Sequence, residues 1–172
     1  MIPELYINSQ MIDLCQTARS IIIIGGSCSG KSSIAEYISS QISHPYVSTD
    51  HYLQSNDNDQ EKAINRLIVD INNYNKPLII EGTLGYLLLR KGLQNNSFNP
   101  DLIIKLKCND KTTEYLYEKY RDPSKINYAK GMAKGLEKIW ENYKTLLKQN
   151  PFIKIPKYIE VETTLSQFKS YL

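Results

Sequence analysis

Apolar residues in this chain come in short unbroken bursts, each followed by a stretch where they recur every three or four positions. SIIIIG, residues 20–25, is β-branched, brief and closed by glycine, which predicts a buried strand. KSSIAEYISSQI, residues 31–42, sets Ile34, Ile38 and Ile42 on one helical face. PYVSTD, residues 45–50, predicts a second strand, and SNDNDQ a polar loop. EKAINRLIVDINNY carries a stripe of Ile64, Leu67, Ile68 and Ile71, and Pro77 stops that helix. LIIEG predicts a third strand, TLGYLLLRKGL a helix despite its glycines, LQNNSFNP a loop and DLIIKLKC a fourth strand. KTTEYLYEKY predicts a helix, RDPSKINYAKG a polar loop, and AKGLEKIWENYKTLLKQ a long amphipathic helix with Trp140 as core anchor. KYIEVE predicts a fifth strand, followed by a short terminal helix; residues 3–18 predict a helix leading into the core.

Strands alternating with helices imply an α/β fold. Its parallel strands are joined by right-handed crossovers, and helices cover both faces of the sheet. Such sheets take ligands at the carboxyl ends of their strands, here the loops after Ile24, Thr49, Ile80 and Leu106.

Composition narrows the picture. A chain of 172 residues suits one domain spanning 1–172, with a small lid at about 121–131. A net charge of +3 with scattered lysines argues against a nucleic-acid-wrapping surface. Cys15, Cys28 and Cys108 are odd in number and far apart, without metal-like pairing, which points to a reducing compartment. The start lacks a secretory pattern, and no apolar run approaches the roughly 20 residues of a membrane span. The expected location is the cytoplasm.

The chemistry concentrates behind the first strand. Gly25, Gly30, Lys31 and Ser32 satisfy G-x-x-x-x-G-K-[ST]. Gly25, Gly26, Ser27, Cys28, Ser29, Gly30, Lys31, Ser32 and Ser33 would curl backbone N–H groups into an anion-binding nest. A helix N-terminus faces the same anion. Lys31 supplies charge for the β- and γ-phosphates of ATP, and Ser32 offers a hydroxyl to Mg²⁺. Cys28 reads mainly as small-residue filler in the loop. Asp50 ends the second strand segment, as a general base for a substrate hydroxyl, a partner of the Mg²⁺–water cluster, or a strand-end cap. Glu81 ends the third strand, as a holder of Mg²⁺ through water or as a helix cap. Arg121 opens the polar loop near Lys119 and Lys125, as a lid cation on the transferring phosphate or as a surface partner of Asp122. Tyr52 either stacks on a substrate ring or packs, and His51 is no metal site.

IIIIGGSCSGKSSIA, VSTDHYL, LIIEG, YRDPS and KYIEVE together resemble the uridine kinase-like group of P-loop small-molecule kinases, over nearly the whole chain. The resemblance implies a five-stranded sheet in the order 2-3-1-4-5. It implies ATP on Gly25 to Ser33, Asp50 as the base for the acceptor hydroxyl, and Tyr52 at the neighbouring aromatic position. It further implies Glu81 near Mg²⁺ and Arg121 on the phosphates. Two departures stand out. Tyr117 and Glu118 occupy the place of an arginine pair ahead of the lid, and the segment from Asp50 to Glu81 is shorter than in true uridine kinases. The implied activity is phosphoryl transfer from ATP to a hydroxyl of a small metabolite, such as a nucleoside. An antibiotic, a sugar or a polynucleotide end are open alternatives, as is a nucleotide-binding regulatory protein without transfer.

Overall fold

The four isoleucines of the first burst, Ile21 to Ile24, are all fully buried, and their side chains alternate between the two faces of a sheet. Ile22 and Ile24 join one hydrophobic cluster with Leu67, Ile80, Leu88 and Trp140. Ile21 and Ile23 join another with Ile34, Ile38, Ile79 and Ile104. A continuous apolar run is what a strand covered on both faces requires. The computed structural model describes residues 6–163.

The elements run α1 (Ser9–Thr17), β1 (Ser20–Gly25), α2 (Lys31–Ile42), β2 (Tyr46–Ser48), α3 (Thr49–Ser55), α4 (Gln60–Asn73) and β3 (Leu78–Glu81). They continue with α5 (Gly85–Gln94), β4 (Leu102–Cys108), α6 (Asp110–Tyr120), a 3₁₀ turn (Pro123–Lys125), α7 (Ile126–Gln149) and β5 (Lys157–Thr163). The five strands are parallel, in the order β2-β3-β1-β4-β5. In this register Ile23 pairs with Glu81, and Glu81 with Ser48, so the chain ends of β1, β2 and β3 open on one rim.

Three local expectations change. The second strand is short: it stops at Ser48, whose Oγ accepts from the Asp50 N–H at 3.3 Å and starts α3. Asp50 therefore lies in the first turn of a helix rather than at the end of a strand. The polar segment 121–131 is a loop only as far as its 3₁₀ turn. Asp122 Oδ1 accepts from Ser124 N (3.0 Å) and Ser124 Oγ (2.7 Å), and α7 begins at Ile126. The terminal helix expected after the fifth strand lies outside the described residues.

Lys105 stands inside β4 yet is only 2 % exposed. Its Nζ reaches Glu137 Oε2 at 2.6 Å and lies 5.3 Å from the centre of the Trp140 ring. The long helix thus grips the sheet through a charge as well as through apolar contact, a partnership that keeps a buried ammonium tolerable.

Candidate active site

The loop between β1 and α2 is shaped by positions that reject ordinary side chains. A Cβ on Gly25 would sit 2.6 Å from Ser29 Oγ and 2.9 Å from the Leu106 carbonyl oxygen. Gly30 is left-handed at φ +87°, and Cys28 holds φ +61°. Gly30 is the N-cap of α2, and no side chain caps that helix start. The first-turn N–H groups of α2 are therefore available to an anion, which the helix dipole favours. Ser29 Oγ (2.9 Å) and Lys31 Nζ (2.7 Å) both donate to the Gly26 carbonyl. Lys31 is 7 % exposed. Burial pushes its pKa below the ordinary lysine value, and the carboxylates of Glu81 and Asp50 and the Cys28 thiol pull the other way.

Glu81 is 3 % exposed and accepts from Ser32 Oγ at 3.2 Å. A hydroxyl beside a buried carboxylate is a hard oxygen pair that fits Mg²⁺, which takes one or two protein oxygens plus water and phosphate. No cluster of three or more His, Cys, Asp or Glu side chains suited to a metal exists among the described residues, so an all-protein cage is not what this pair belongs to.

Asp50 is fixed from the turn just past the end of β3. Its Oδ1 accepts from Thr83 Oγ1 at 3.0 Å and from the Thr83 N–H at 3.5 Å. Beside it, the buried Thr49 Oγ1 accepts from the Leu84 N–H at 3.2 Å. A Cβ on Gly82, which has φ +131°, would lie 2.1 Å from that same oxygen. Glycine at 82 thus lets the chain ends of β2 and β3 close on each other and hold Asp50 at the rim.

Lys31, Ser32, Asp50, Glu81, Thr83 and Arg121 line one cleft of about 390 Å³. Arg121 enters it from the end of α6, is exposed, and donates its N–H to the Tyr117 carbonyl at 3.2 Å. Ser27, Cys28, Gly30 and Ser33 line the same cleft, whereas Lys119 and Lys125 do not. Lys119 lies over the rings of Tyr115 and Tyr120 instead.

Tyr52 is the exception among the substrate-binding candidates. It does not line the cleft; its ring packs against the core and its hydroxyl donates to Asp70 Oδ2 at 3.1 Å. α3 begins as soon as β2 ends, and the helical turn carries Tyr52 inward, away from Asp50.

The sequence does not single out Thr83, and it marks Tyr117 only as a departure from an expected arginine pair. Tyr117 is 7 % exposed, and its hydroxyl donates to Ser27 Oγ at 2.9 Å. It holds α6 against the β1–α2 loop, at the place where the resemblance leads one to expect an arginine. Both contacts span long separations, so only the Thr directly behind LIIEG and the Tyr ahead of YRDPS hint at them.

No protein-family model and no curated protein sequence matches the chain. Solved structures do. Shikimate kinase from Acinetobacter baumannii in complex with shikimate superposes with a TM-score of 0.51 at 13% identity, covering 89% of this chain and 88% of that one. A gluconokinase from Sinorhizobium meliloti 1021 gives 0.51 at 16% identity, covering 86% and 85%. The chain shares the α/β fold of these two structures. Shikimate kinase from Bacteroides thetaiotaomicron shares it at a TM-score of 0.50 and 11% identity, covering 73% and 81%. At these identities the likeness concerns the fold, with its five parallel strands in the order 2-3-1-4-5. No helix among the described residues is long and apolar enough to cross a membrane.

Proposed function

We propose that this protein transfers the γ-phosphoryl group of Mg²⁺–ATP to a hydroxyl of a small metabolite, in the manner of the uridine kinase-like group, with a nucleoside as the first acceptor to test. The observation that carries this reading is convergence. Lys31, the Ser32–Glu81 pair, the Asp50–Thr83 pair and Arg121 come from separate elements and share one cleft beside an uncapped helix N-terminus.

The loop N–H groups and the start of α2 bind the phosphates, and Lys31 adds the full charge. Ser32 and Glu81 would hold Mg²⁺, which when bound supplies charge neutralisation on the phosphate oxygens. Asp50 accepts the proton of the acceptor hydroxyl as its oxygen bonds to the γ-phosphorus and the bond to the leaving ADP oxygen breaks. Arg121 stabilises charge on the transferring group. A second cleft of about 430 Å³ opens on the other side of Gly26 and Ser27, between the end of β4 and α7, and has room for the nucleoside part of ATP.

Tyr117 against Ser27 favours one alternative, a nucleotide-binding regulatory protein, because a neutral hydroxyl stands where a lid cation would help transfer. One experiment separates the two. Labelled ATP is offered with nucleosides, sugars, aminoglycoside-type alcohols and RNA ends, while Mg–ATP affinity is measured by calorimetry. Label transfer to an alcohol supports the kinase. Tight nucleotide binding without transfer to any acceptor supports the regulatory protein. Absence of nucleotide binding overturns both.

A further inference from the structure

The charges around Asp50 say something about the acceptor, given the kinase reading. Between Lys31 and Lys62 the chain carries no lysine or arginine. That stretch supplies α2, β2, α3 and the turn into α4, the elements that surround Asp50 along the chain. It does carry Glu36, Asp50, Asp57, Asp59 and Glu61. Asp59 is held by the N–H groups of Glu61 and Lys62, Glu61 pairs with Lys91, and Arg66 of α4, the helix packed on α3, pairs with Asp70.

Among the described residues lining the cleft, the cations are Lys31 and Arg121, set against the carboxylates Asp50 and Glu81. Those charges cancel, so a bound Mg–ATP leaves the site with net negative charge. Lys31 donates to a carbonyl of the phosphate loop itself, which commits it to the phosphate side. With Lys31 committed to the phosphate loop and Arg121 given to the transferring group, an acceptor bearing a carboxylate or phosphate would meet that negative field with no cation of the cleft lining left over to pair with. In a cleft partly screened from water, such an unpaired approach is costly.

We infer that the acceptor is an alcohol that carries no acid group. The inference rests on the kinase reading and narrows it: acidic sugars and phosphorylated sugars are excluded, and uncharged or amine-bearing alcohols fit.

The test uses probes matched in shape and differing in charge: uridine against orotidine, methyl shikimate against shikimate, and galactose against galacturonate. Calorimetry with Mg²⁺ and a non-hydrolysable ATP analogue comes first. Failure to bind the analogue sinks the kinase reading itself, and this outcome is independent of any acceptor. The analogue complex is then titrated with each pair by ligand-observed NMR, and initial rates are measured with ATP. The expected result is that at least one uncharged member binds and reacts, at least tenfold better than its acid partner, and that added salt narrows the ratio as screening predicts. Equal or better use of an acid member overturns the inference. So does a ratio that salt leaves unchanged, or a set in which no uncharged member binds.

Discussion

Asp50 and Thr83 meet across 33 residues of chain, and that contact decides which way the carboxylate points. Asp50→Asn keeps the shape and the acceptor oxygen for Thr83 but cannot take a proton at neutral pH. The expected outcome is a fall in kcat of about a hundredfold to ten-thousandfold, or roughly 3–5 kcal/mol of barrier, with Mg–ATP affinity near normal by calorimetry. Turnover at the wild-type rate would reduce Asp50 to a helix-start residue. Thr83→Val removes the hydroxyl donor and leaves the N–H, so the expected loss in kcat is about tenfold with KM for ATP unchanged. Thr83→Ser should restore it, an outcome that mere packing around the threonine methyl does not produce. Lys31 gives a prediction of opposite sign for stability and function. Burial lowers its pKa, so the protonated side chain costs folding free energy below the folded pKa. That penalty is relieved as pH rises through the folded pKa towards the ordinary 10.5. Lys31→Met removes the buried charge. It should raise the melting temperature of the nucleotide-free protein at pH 7 while abolishing tight Mg–ATP binding, both measured by scanning fluorimetry with and without nucleotide.

At the scale of elements, α6 is the piece that links the β1–α2 loop to Arg121. Tyr117 fastens it to Ser27, and one turn later the helix ends at Arg121 with extended backbone. The segment from Arg121 to Lys125 has no buried side chain, and Asp122 with Pro123 forms its turn. Such a short polar joint between two helices can rearrange at low cost, which supports a lid made of the end of α6 and the start of α7. Amide exchange across 121–131 should slow when a non-hydrolysable ATP analogue and an acceptor are both bound. In Tyr117→Phe, exchange at the end of α6 should be faster in the free protein, because the hydroxyl tie is gone. Unchanged protection in the wild type on adding both ligands would remove the lid.

At the scale of the whole molecule, the sheet is clamped between two apolar layers, and Lys105 is the one buried ammonium placed in a strand among the described residues. Glu137 is about half exposed at its side chain, so its own desolvation is modest. Glu137→Ala leaves Lys105 buried without its carboxylate and should cost about 1–3 kcal/mol in urea unfolding, short of the full penalty for a completely buried pair. Lys105→Met in the same background should recover most of that loss, since an apolar chain of similar length suits the surface of Trp140. Additive losses in the double variant would show that the two side chains do not depend on each other.

The features legible from the order of residues are the local ones. Four adjacent β-branched isoleucines closed by glycine point to a short strand covered on both faces, and the glycines behind them allow the loop its backbone. The spacing of Ile34, Ile38 and Ile42 matches a helix starting at Lys31. Alternation of such segments is enough for a parallel α/β sheet, and the motif is enough to point to phosphate. The remaining features depend on contacts between positions far apart in the chain. Ser48 stopped β2 early and turned Asp50 onto a helix, because capping a helix start outcompeted two more strand residues. That turn sent Tyr52 to Asp70 and away from the cleft. Thr83 reached Asp50, and Tyr117 reached Ser27 across 90 residues, through a register set by hydrogen bonds between strands and by the packing of α6. No periodicity records such pairings, since each partner is locally an ordinary polar residue. Lys105 breaks the apolar pattern of its strand for the same reason: its partner lies on α7, and only the folded chain brings the charge that makes it tolerable.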